Sequence, residues 1–364
     1  MCLVKTSYSD HDVTVLLKDL TGYVNETDTL EREKLIQQGN HYSEFLPKEY
    51  VPTEKYMHIY HALLDTLSEE TAYLIKRLSE KLYALHGSDL VLVSLARAGT
   101  PIGILIKRFF KFQYDLDVPH YTISIIRGKG IDSNAVKKII SQHKATDIQF
   151  VDGWVGKGAI NKELTLSVNQ LIDSDNLYAG LSHRLAVLSD PSYTTDLCAT
   201  HQDFLIPSAC LNATVSGLFS RTIHRSDLIG ADDYHGSVYY GELSDVDHSI
   251  KFIETVAGYF ESVREFPELD KVNALNGLCG IDEVTALANE FGVADINMIK
   301  PGVGETTRVL LRRLPWKVLI NFKTANQKYL SHILQLCKDK NIEVINYPLK
   351  GYSVCGLIKN ISDL

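Results

Sequence analysis

The sequence lacks both the long apolar runs that cross membranes and the paired cysteines typical of structural metal sites. Its best apolar stretch, residues 90–106, is broken by Arg97, Thr100 and Pro101. The six cysteines contain no CxxC pair, which argues against a zinc ribbon or a disulfide framework. The N-terminus has no signal-peptide pattern, and the chain has no internal repeat or low-complexity segment. These absences predict a cytoplasmic protein with free thiols and no membrane partner.

Charge is unevenly distributed along the 364 residues, whose net charge is −8. Residues 300–364 carry a net charge of +7, so the remainder of the chain carries −15. A basic segment on an acidic body predicts a polyanionic partner, most commonly nucleic acid. A basic face that is merely solvated is the alternative.

Apolar periodicity divides the chain into four regions. Residues 1–85 are predicted to be mainly helical, and residues 86–250 alternate short apolar runs with helical stretches. Residues 251–299 are predicted to form a helical connection. After a glycine-rich joint at residues 300–308, the region 300–364 is predicted to be a basic βαββ module whose last strand ends at Lys359. The second region is typical of α/β proteins with a parallel sheet flanked by helices. Its predicted strands are residues 90–95, 120–126, 148–151 and 185–188.

The most informative segment is residues 148–160, IQFVDGWVGKGAI. Asp152 ends an apolar run, at the edge where open α/β sheets bind ligands. Gly156 and Gly158 allow backbone N–H groups to surround an anion at the start of the next helix. The predicted phosphate loop is Asp152, Gly153, Trp154, Val155, Gly156, Lys157, Gly158 and Ala159.

Two further loops follow predicted strands. SLARAGTP contains Arg97, whose guanidinium group suits two-point binding of a phosphate, and RGKGID contains Arg127 and Lys129. An exposed arginine and a flexible basic loop are the alternatives. The residues concerned are Ser94, Leu95, Ala96, Arg97, Ala98, Gly99 and Thr100 in the first loop, and Arg127, Gly128, Lys129, Gly130 and Asp132 in the second.

These motifs resemble a known family. VDGWVGKGAI is similar to the phosphoribosyl pyrophosphate (PRPP) motif of type I phosphoribosyltransferases, and SLARAGTP is similar to their pyrophosphate loop. HYSEFLPKEYVP, DFLIPSACLNATVSGLFSRT, DYHGSVYYGEL and IKPGVGETTRVLLRRLPW resemble a bacterial phosphoribosyltransferase family that ends in a pelota-like RNA-binding domain. That family is associated with tellurite-resistance (Ter) stress operons and is also labelled cysteine protease StiP. The resemblance covers roughly residues 40–364.

The resemblance implies a type I phosphoribosyltransferase-like fold and a transfer between PRPP and a nucleobase-like acceptor, or the reverse reaction on a nucleotide. Mg²⁺ would bind through PRPP oxygens rather than a protein cage. Arg97 and Lys129 would stabilise the leaving pyrophosphate, and Asp152 would orient the ribose. Two positions depart from the motif: Gly153 replaces a second carboxylate, and Lys157 replaces a threonine and is expected to contact the 5′-phosphate.

Candidates for contacts with the acceptor base and with RNA follow later in the chain. Asp190 could accept a proton from a ring nitrogen, although Asp-Pro also forms ordinary turns. The base-covering candidates are Asp190, Ser216, Ser220, Arg221 and His235, in a segment that is alternatively a structural subdomain. The RNA-binding candidates are Arg308, Arg312, Arg313, Lys317, Lys323 and Lys350. The sequence leaves the oligomeric state open, with a homo-oligomer among the alternatives.

Two other functions compete with this prediction. The missing motif carboxylate favours a non-catalytic RNA-binding or nucleotide-sensing regulator on the same fold. The label of related proteins suggests a cysteine protease, for which Cys210 would pair with His201 or His235. The SAC tripeptide around Cys210 is too generic to support that pairing by itself.

Overall fold

The structure is a computed structural model that describes residues 1–49, 51–271, 280–323 and 325–358. None of the helices within these ranges is long and apolar enough to cross a membrane. The strands are β1 Thr14–Val15, β2 Lys18–Asp19, β3 Glu26–Thr27, β4 Leu46–Pro47, β5 Val91–Leu95, β6 His120–Ile123, β7 Ile125–Ile126, β8 Gly130–Ile131, β9 Ile148–Trp154, β10 Leu185–Ser189, β11 Cys198–Thr200, β12 Gly236–Ser237, β13 Ile299–Pro301, β14 Pro315–Ile320, β15 Glu343–Asn346 and β16 Val354–Ile358. The helices are α1 Thr29–Gln37, α2 Glu54–His86, α3 Gly99–Tyr114, α4 Ser133–Ile140, α5 Ala159–Ser174, α6 Ser249–Ala257, α7 Gly280–Glu290, α8 Val303–Arg312 and α9 Ser331–Asp339.

Six parallel strands form the central sheet, in the order β1-β6-β5-β9-β10-β11. Both of its faces are covered, which explains why its strands are almost continuously apolar. Leu92 and Val151 pack with the helices of one face, whereas Val93 and Phe150 belong to a separate core on the other. The predicted α/β architecture, a parallel sheet flanked by helices, is confirmed at this level.

Strand β9 is longer than the sequence predicted. It continues to Trp154, so Asp152 and Gly153 lie within the strand and the glycine loop begins only at Val155. The Val155 N–H donates to the Ser189 carbonyl oxygen at 2.9 Å, because pairing with β10 continues past the apolar run. Loop composition alone does not mark this boundary.

The N-terminal region contains strands as well as the predicted helices. Helix α2 confirms the predicted helical segment, with Thr53 accepting from the Tyr56 N–H at its start. Thr14 and Val15, however, pair with Tyr121 and Thr122 at the edge of the central sheet. Two β-branched residues are too short a pattern to be recognised without the partner strand.

The C-terminal region forms its own four-stranded sheet, ordered β13-β16-β14-β15. The predicted βαββ elements correspond to β14, α9, β15 and β16, although Lys359, predicted to end the last strand, lies outside the described residues. The predicted glycine-rich joint is instead strand β13 and helix α8. Gly302, with a φ of +87°, makes the turn between them. The predicted domain boundaries stay predictions.

This C-terminal sheet packs directly against the rest of the chain. Asp203 is buried and accepts hydrogen bonds from the N–H groups of Val303, at 2.8 Å, and Ser353, at 2.9 Å. Val303 and Leu310 of helix α8 belong to the same apolar core as Leu205. The region is therefore part of one packed body rather than a module on a free linker.

Candidate functional site

A cavity of about 720 Å³ lies where the carboxyl ends of the central strands meet the N-terminal segment and the C-terminal sheet. Its charged lining is predominantly basic, which favours an anionic ligand. Among the described residues, seven basic and three acidic side chains line it: Arg32, Arg127, Lys157, Arg221, Lys300, Arg308 and Arg313, with Asp152, Asp295 and Glu305.

The glycine loop forms one wall of this cavity. Gly158 has a φ of +82°, and a Cβ atom there would lie 2.8 Å from the Thr194 side chain, so only glycine fits. Gly158, the N-cap of α5, has no side chain to bond the first N–H groups of the helix, and Ala159 and Ile160 of its first turn line the cavity. Beside the loop, the Arg308 guanidinium lies 4.4 Å from the centre of the Trp154 ring.

Asp152 lines the same cavity from strand β9. Its Oδ1 accepts a hydrogen bond from the Gly153 N–H at 2.8 Å. Burial raises the pKa of this carboxyl to about 6, because desolvation outweighs the favourable effect of that hydrogen bond and of Arg308. Asp152 therefore becomes charged only above slightly acidic pH.

Lys157 connects two parts of the chain. Its ammonium group donates to the carbonyl oxygens of Ile296 and, at 2.8 Å, of Ile299. Burial, together with repulsion from Lys300, lowers its pKa to about 7. The predicted 5′-phosphate contact gives way in this structure to a link between the glycine loop and the C-terminal region.

Arg97 does not line the cavity. It is buried, forms an ion pair with Glu49 at 2.9 Å and donates to the Phe219 carbonyl oxygen at 2.8 Å. Among its loop neighbours, Ala98 lines the cavity, whereas the Ser94 hydroxyl is bonded to His120 in the core. The guanidinium group predicted to hold pyrophosphate is thus engaged by the protein itself.

The two basic side chains of the RGKGID loop lie in different places. Arg127 lines the cavity and donates to Asn297 Oδ1 at 2.7 Å. Lys129 lies 3.8 Å from the Glu44 carboxylate, away from the cavity lining. Asp132 is buried and accepts from the Ala135 N–H at the start of α4, so its role here is structural.

The predicted base-covering set is mostly structural as well. Asp190 is buried, and its carboxylate accepts from the N–H groups of Ser192, Thr194 and Thr195, which leaves no free oxygen for a base. Arg221 alone of this set lines the cavity. The other three bond within the protein: Ser216 to Asn212, Ser220 to Ser237 and His235 to Ser124.

The six RNA-binding candidates face different surroundings. Arg308 and Arg313 line the cavity, and Arg312 bonds to Asn212. Lys317 is half-buried in an ion pair with Glu343. Only Lys323 and Lys350 are exposed.

Several cavity residues were not predicted. Lys300 and Glu305 belong to the segment interpreted as a joint, and His41 and Tyr42 to a polar loop. The His41 Nε2 lies 3.0 Å from the Arg127 carbonyl oxygen, and the Tyr42 hydroxyl accepts from the Arg127 N–H at 2.8 Å. The polar residues of HYSE and KPGVGE are visible in the sequence. Only long-range contacts show that they line the same cavity.

Cys198 and His201 form a thiol–imidazole pair at the end of the sheet's edge strand. The Cys198 sulfur lies 3.5 Å from His201 Nε2 and 3.7 Å from Nδ1. His201 Nδ1 lies 2.8 Å from the Asp190 carbonyl oxygen, which requires an N–H at Nδ1 and leaves Nε2 free to accept the thiol proton. The Tyr193 ring stacks on the imidazole, with ring centres 4.0 Å apart.

Cys210, the cysteine suggested by the sequence, is placed differently. It is completely buried in the apolar core, where its pKa is raised far above that of a free thiol by burial. His201 contacts Cys198, and His235 bonds to Ser124. The predicted pairing of Cys210 with either histidine is therefore wrong in this structure.

The titration of Cys198 gives a testable prediction. Burial and the nearby Asp190 raise its pKa to about 11, so only about a thousandth of the thiol is ionised at pH 8. We expect its alkylation by iodoacetamide, followed by mass spectrometry, to accelerate about tenfold per pH unit between pH 8 and 10. In urea the same thiol should titrate near the ordinary value of about 8.5. A plateau already reached near pH 7 in the folded protein would contradict the protonated resting thiol.

Comparisons with known proteins assign the chain to a family and correct the predicted function. Residues 6–257 match the family described as "Tellurite-like stress resistance cysteine protease StiP", and residues 278–360 match the "PELOTA RNA binding domain". A relative from Acinetobacter baylyi (strain ATCC 33305 / BD413 / ADP1), named "Cysteine protease StiP", is 34% identical over 370 residues, which cover 98% of this chain and 94% of the relative. The predicted phosphoribosyltransferase acting on PRPP is therefore wrong, because a phosphate-type loop on a parallel sheet does not determine the chemistry. The chain belongs to the StiP family of tellurite-like stress resistance proteins and carries a C-terminal pelota domain.

Proposed function

We propose that the chain is a thiol-dependent peptidase in which Cys198 is the nucleophile and His201 the general base. The observation that carries this proposal is the 3.5 Å approach of the Cys198 sulfur to His201 Nε2, with Nδ1 fixed by the Asp190 carbonyl oxygen. The family description and the name of the relative support the same activity. The test is whether Cys198→Ser abolishes hydrolysis of an unstructured polypeptide that the wild type cleaves.

The pair has the components of a nucleophile and its base. As the Cys198 sulfur attacks a peptide carbonyl carbon, His201 Nε2 accepts the thiol proton. The resulting imidazolium donates that proton to the departing amine when the C–N bond breaks and a thioester remains on Cys198. Water then hydrolyses the thioester, with His201 acting again as the base, which restores the thiol.

The structure shows this pair in a closed arrangement. Cys198 is 3% exposed, and the Tyr193 ring covers one face of the His201 imidazole. Lys81 donates to the Cys198 carbonyl oxygen at 2.7 Å and ties the edge strand to α2. Attack on a peptide therefore requires the segment around Tyr193 to move, and we expect slow basal hydrolysis.

RNA binding by the pelota domain is a second function. Exposed Lys323 and Lys350 follow the parallel strands β14 and β15, and Asn321 Nδ2 joins the two turns by donating to the Leu349 carbonyl oxygen at 2.7 Å. Phe322, which is 40% exposed and precedes Lys323 in the chain, adds an aromatic side chain to this surface. Two cations beside an exposed ring suit the backbone and bases of single-stranded RNA.

Replacing Lys323 and Lys350 together by Met should weaken RNA binding and its salt dependence. Loss of two phosphate contacts should reduce the slope of log affinity against log salt by about 1.4, at roughly 0.7 per contact for a single strand. Fluorescence anisotropy with a labelled oligoribonucleotide between 50 and 200 mM salt measures this. Lys137 and Lys138, exposed on α4, provide the matched double variant, which should match the wild type. An equal effect of the two double variants would show that this surface does not bind RNA.

A further inference from the structure

We infer that the basic cavity binds the phosphorylated terminal nucleotide of an RNA strand whose body lies on Lys323 and Lys350. The inference rests on the proposed RNA binding of the pelota domain. It states that the domain directs the end of its RNA ligand into the cavity. Neither Cys198 nor His201 is among the described residues that line this cavity, so the site is separate from that pair.

The first argument is uncompensated charge. Five cations of the lining form no ion pair with a carboxylate in the described parts of the chain: Arg127, Lys157, Arg221, Lys300 and Arg308. Lys157 donates only to carbonyl oxygens, and Arg308 contacts the Trp154 ring. The three carboxylates of the lining attract Lys300 and Arg308, but they do not neutralise its seven basic side chains. Cations this concentrated are stabilised best by a ligand with two or more negative charges.

The electrostatics of these cations favour an anionic ligand. Burial, together with repulsion from the neighbouring arginines Arg32, Arg313 and Arg97, lowers the pKa of Arg221 to about 10. The pKa of Lys300 is also lowered, by burial and by Arg313 and Arg127. A bound phosphate would favour the charged forms and reverse these shifts.

The lining also contains surfaces that suit a nucleotide. The Arg221 guanidinium lies 4.7 Å from the centre of the Tyr42 ring, and Arg308 lies 4.4 Å from that of Trp154. An arginine that lies on an aromatic ring still presents N–H groups to phosphate oxygens. Arg127 also lies against the Tyr42 ring, 5.6 Å from its centre, so this ring holds two guanidinium groups beside the cavity. The uncapped N-terminus of α5 adds backbone donors on the same side.

The position of the pelota domain argues for an RNA end rather than a free nucleotide. Tyr352 donates its hydroxyl proton to the Gly156 carbonyl oxygen at 2.8 Å, in the loop that lines the cavity. Exposed Lys350 is two residues from Tyr352, so their Cα atoms are at most about 7.6 Å apart. A cavity of about 720 Å³ accepts a ligand the size of a nucleotide and excludes a folded RNA, whose body must stay outside.

The experiment measures the affinities of three 12-nucleotide RNAs of identical sequence, which carry a 5′-phosphate, a 3′-phosphate or neither. The affinity of free UMP is measured beside them. We expect one phosphorylated oligonucleotide to bind the wild type at least about tenfold more tightly than the unphosphorylated one, because charge-assisted hydrogen bonds to phosphate are strong. UMP should bind more weakly than that oligonucleotide.

Equal binding of all three oligonucleotides would overturn the inference while leaving RNA binding intact. UMP binding as tight as that of the phosphorylated oligonucleotide would overturn the RNA source of the ligand. Absence of any oligonucleotide binding would overturn both RNA proposals together.

Variants separate the cavity from the outer surface. Lys300→Met and Arg308→Met should each remove most of the preference for the phosphorylated end while leaving binding of the unphosphorylated oligonucleotide within about twofold. Lys350→Met should weaken all the oligonucleotides by the same factor and keep the preference. Circular dichroism of each variant verifies folding. A preference that survives in both cavity variants, with folding intact, would contradict the assignment.

Discussion

Cys198→Ser is expected to reduce peptide hydrolysis by at least about a thousandfold, because it removes the nucleophile that His201 activates. His201→Gln should cause a comparable loss, since the residual thiol would keep its high pKa and have no base beside it. Release of fluorescent fragments from a quenched, unstructured polypeptide measures both effects. The two losses should not add in the double variant, because the pair acts as a unit.

Cys2→Ser is the matched control. Cys2 is a free thiol that is exposed, whereas Cys198 is buried. Replacement of Cys2 should therefore leave hydrolysis unchanged. Wild-type activity in Cys198→Ser, or an equal loss in Cys2→Ser, would remove the basis for the proposed pair. Loss of activity confined to Cys198 and His201 distinguishes a catalytic role from general destabilisation.

Asp203→Ala should lower the free energy of unfolding by roughly 3 kcal/mol. The substitution leaves the buried N–H of Val303 and the partly buried N–H of Ser353 without an acceptor, at about 1 to 3 kcal/mol for each. Urea denaturation followed by tryptophan fluorescence measures the change. Trp154 reports on this interface, because a Cβ atom at Gly304 would lie 2.5 Å from its ring.

The control for this prediction is Asp175, which, like Asp203, accepts a hydrogen bond from a backbone N–H. Asp175 is exposed and accepts from the Leu177 N–H at 2.8 Å, so Asp175→Ala should cost at most about 1 kcal/mol. Equal losses for the two variants would show that Asp203 does not join the C-terminal sheet to the body. A separate, earlier unfolding step in Asp203→Ala would show that the pelota domain becomes independent when this contact is lost.

Much of the fold could be predicted from the sequence because its strands are buried on both faces. The apolar runs that form β5, β9 and β10 have the length of strands and are too short for helices. Helix α2 shows clear helical periodicity. The edge strands β1 and β11 escaped prediction, since two or three residues carry too little pattern. Helix α8 was hidden by Gly302 and Gly304, which serve a turn and a close approach to Trp154.

The candidate site was predictable only in part. Local sequence identified the glycine loop and Arg127, because their chemistry is contained in a few adjacent residues. It could not show that Arg97 is neutralised by Glu49, 48 positions away, or that Asp190 caps its own turn. The pairing of Cys198 with His201 has the helical spacing of i and i+3 but occurs at a strand end, which gave no signal.

The most direct test of the proposed peptidase is covalent trapping of its nucleophile. A peptidyl vinyl sulfone should inactivate the full-length protein in proportion to labelling, and digestion followed by mass spectrometry should place the adduct on Cys198. Labelling should disappear in His201→Gln, in which no base accepts the thiol proton. An adduct on another cysteine, such as Cys279, with parallel loss of activity would contradict the account.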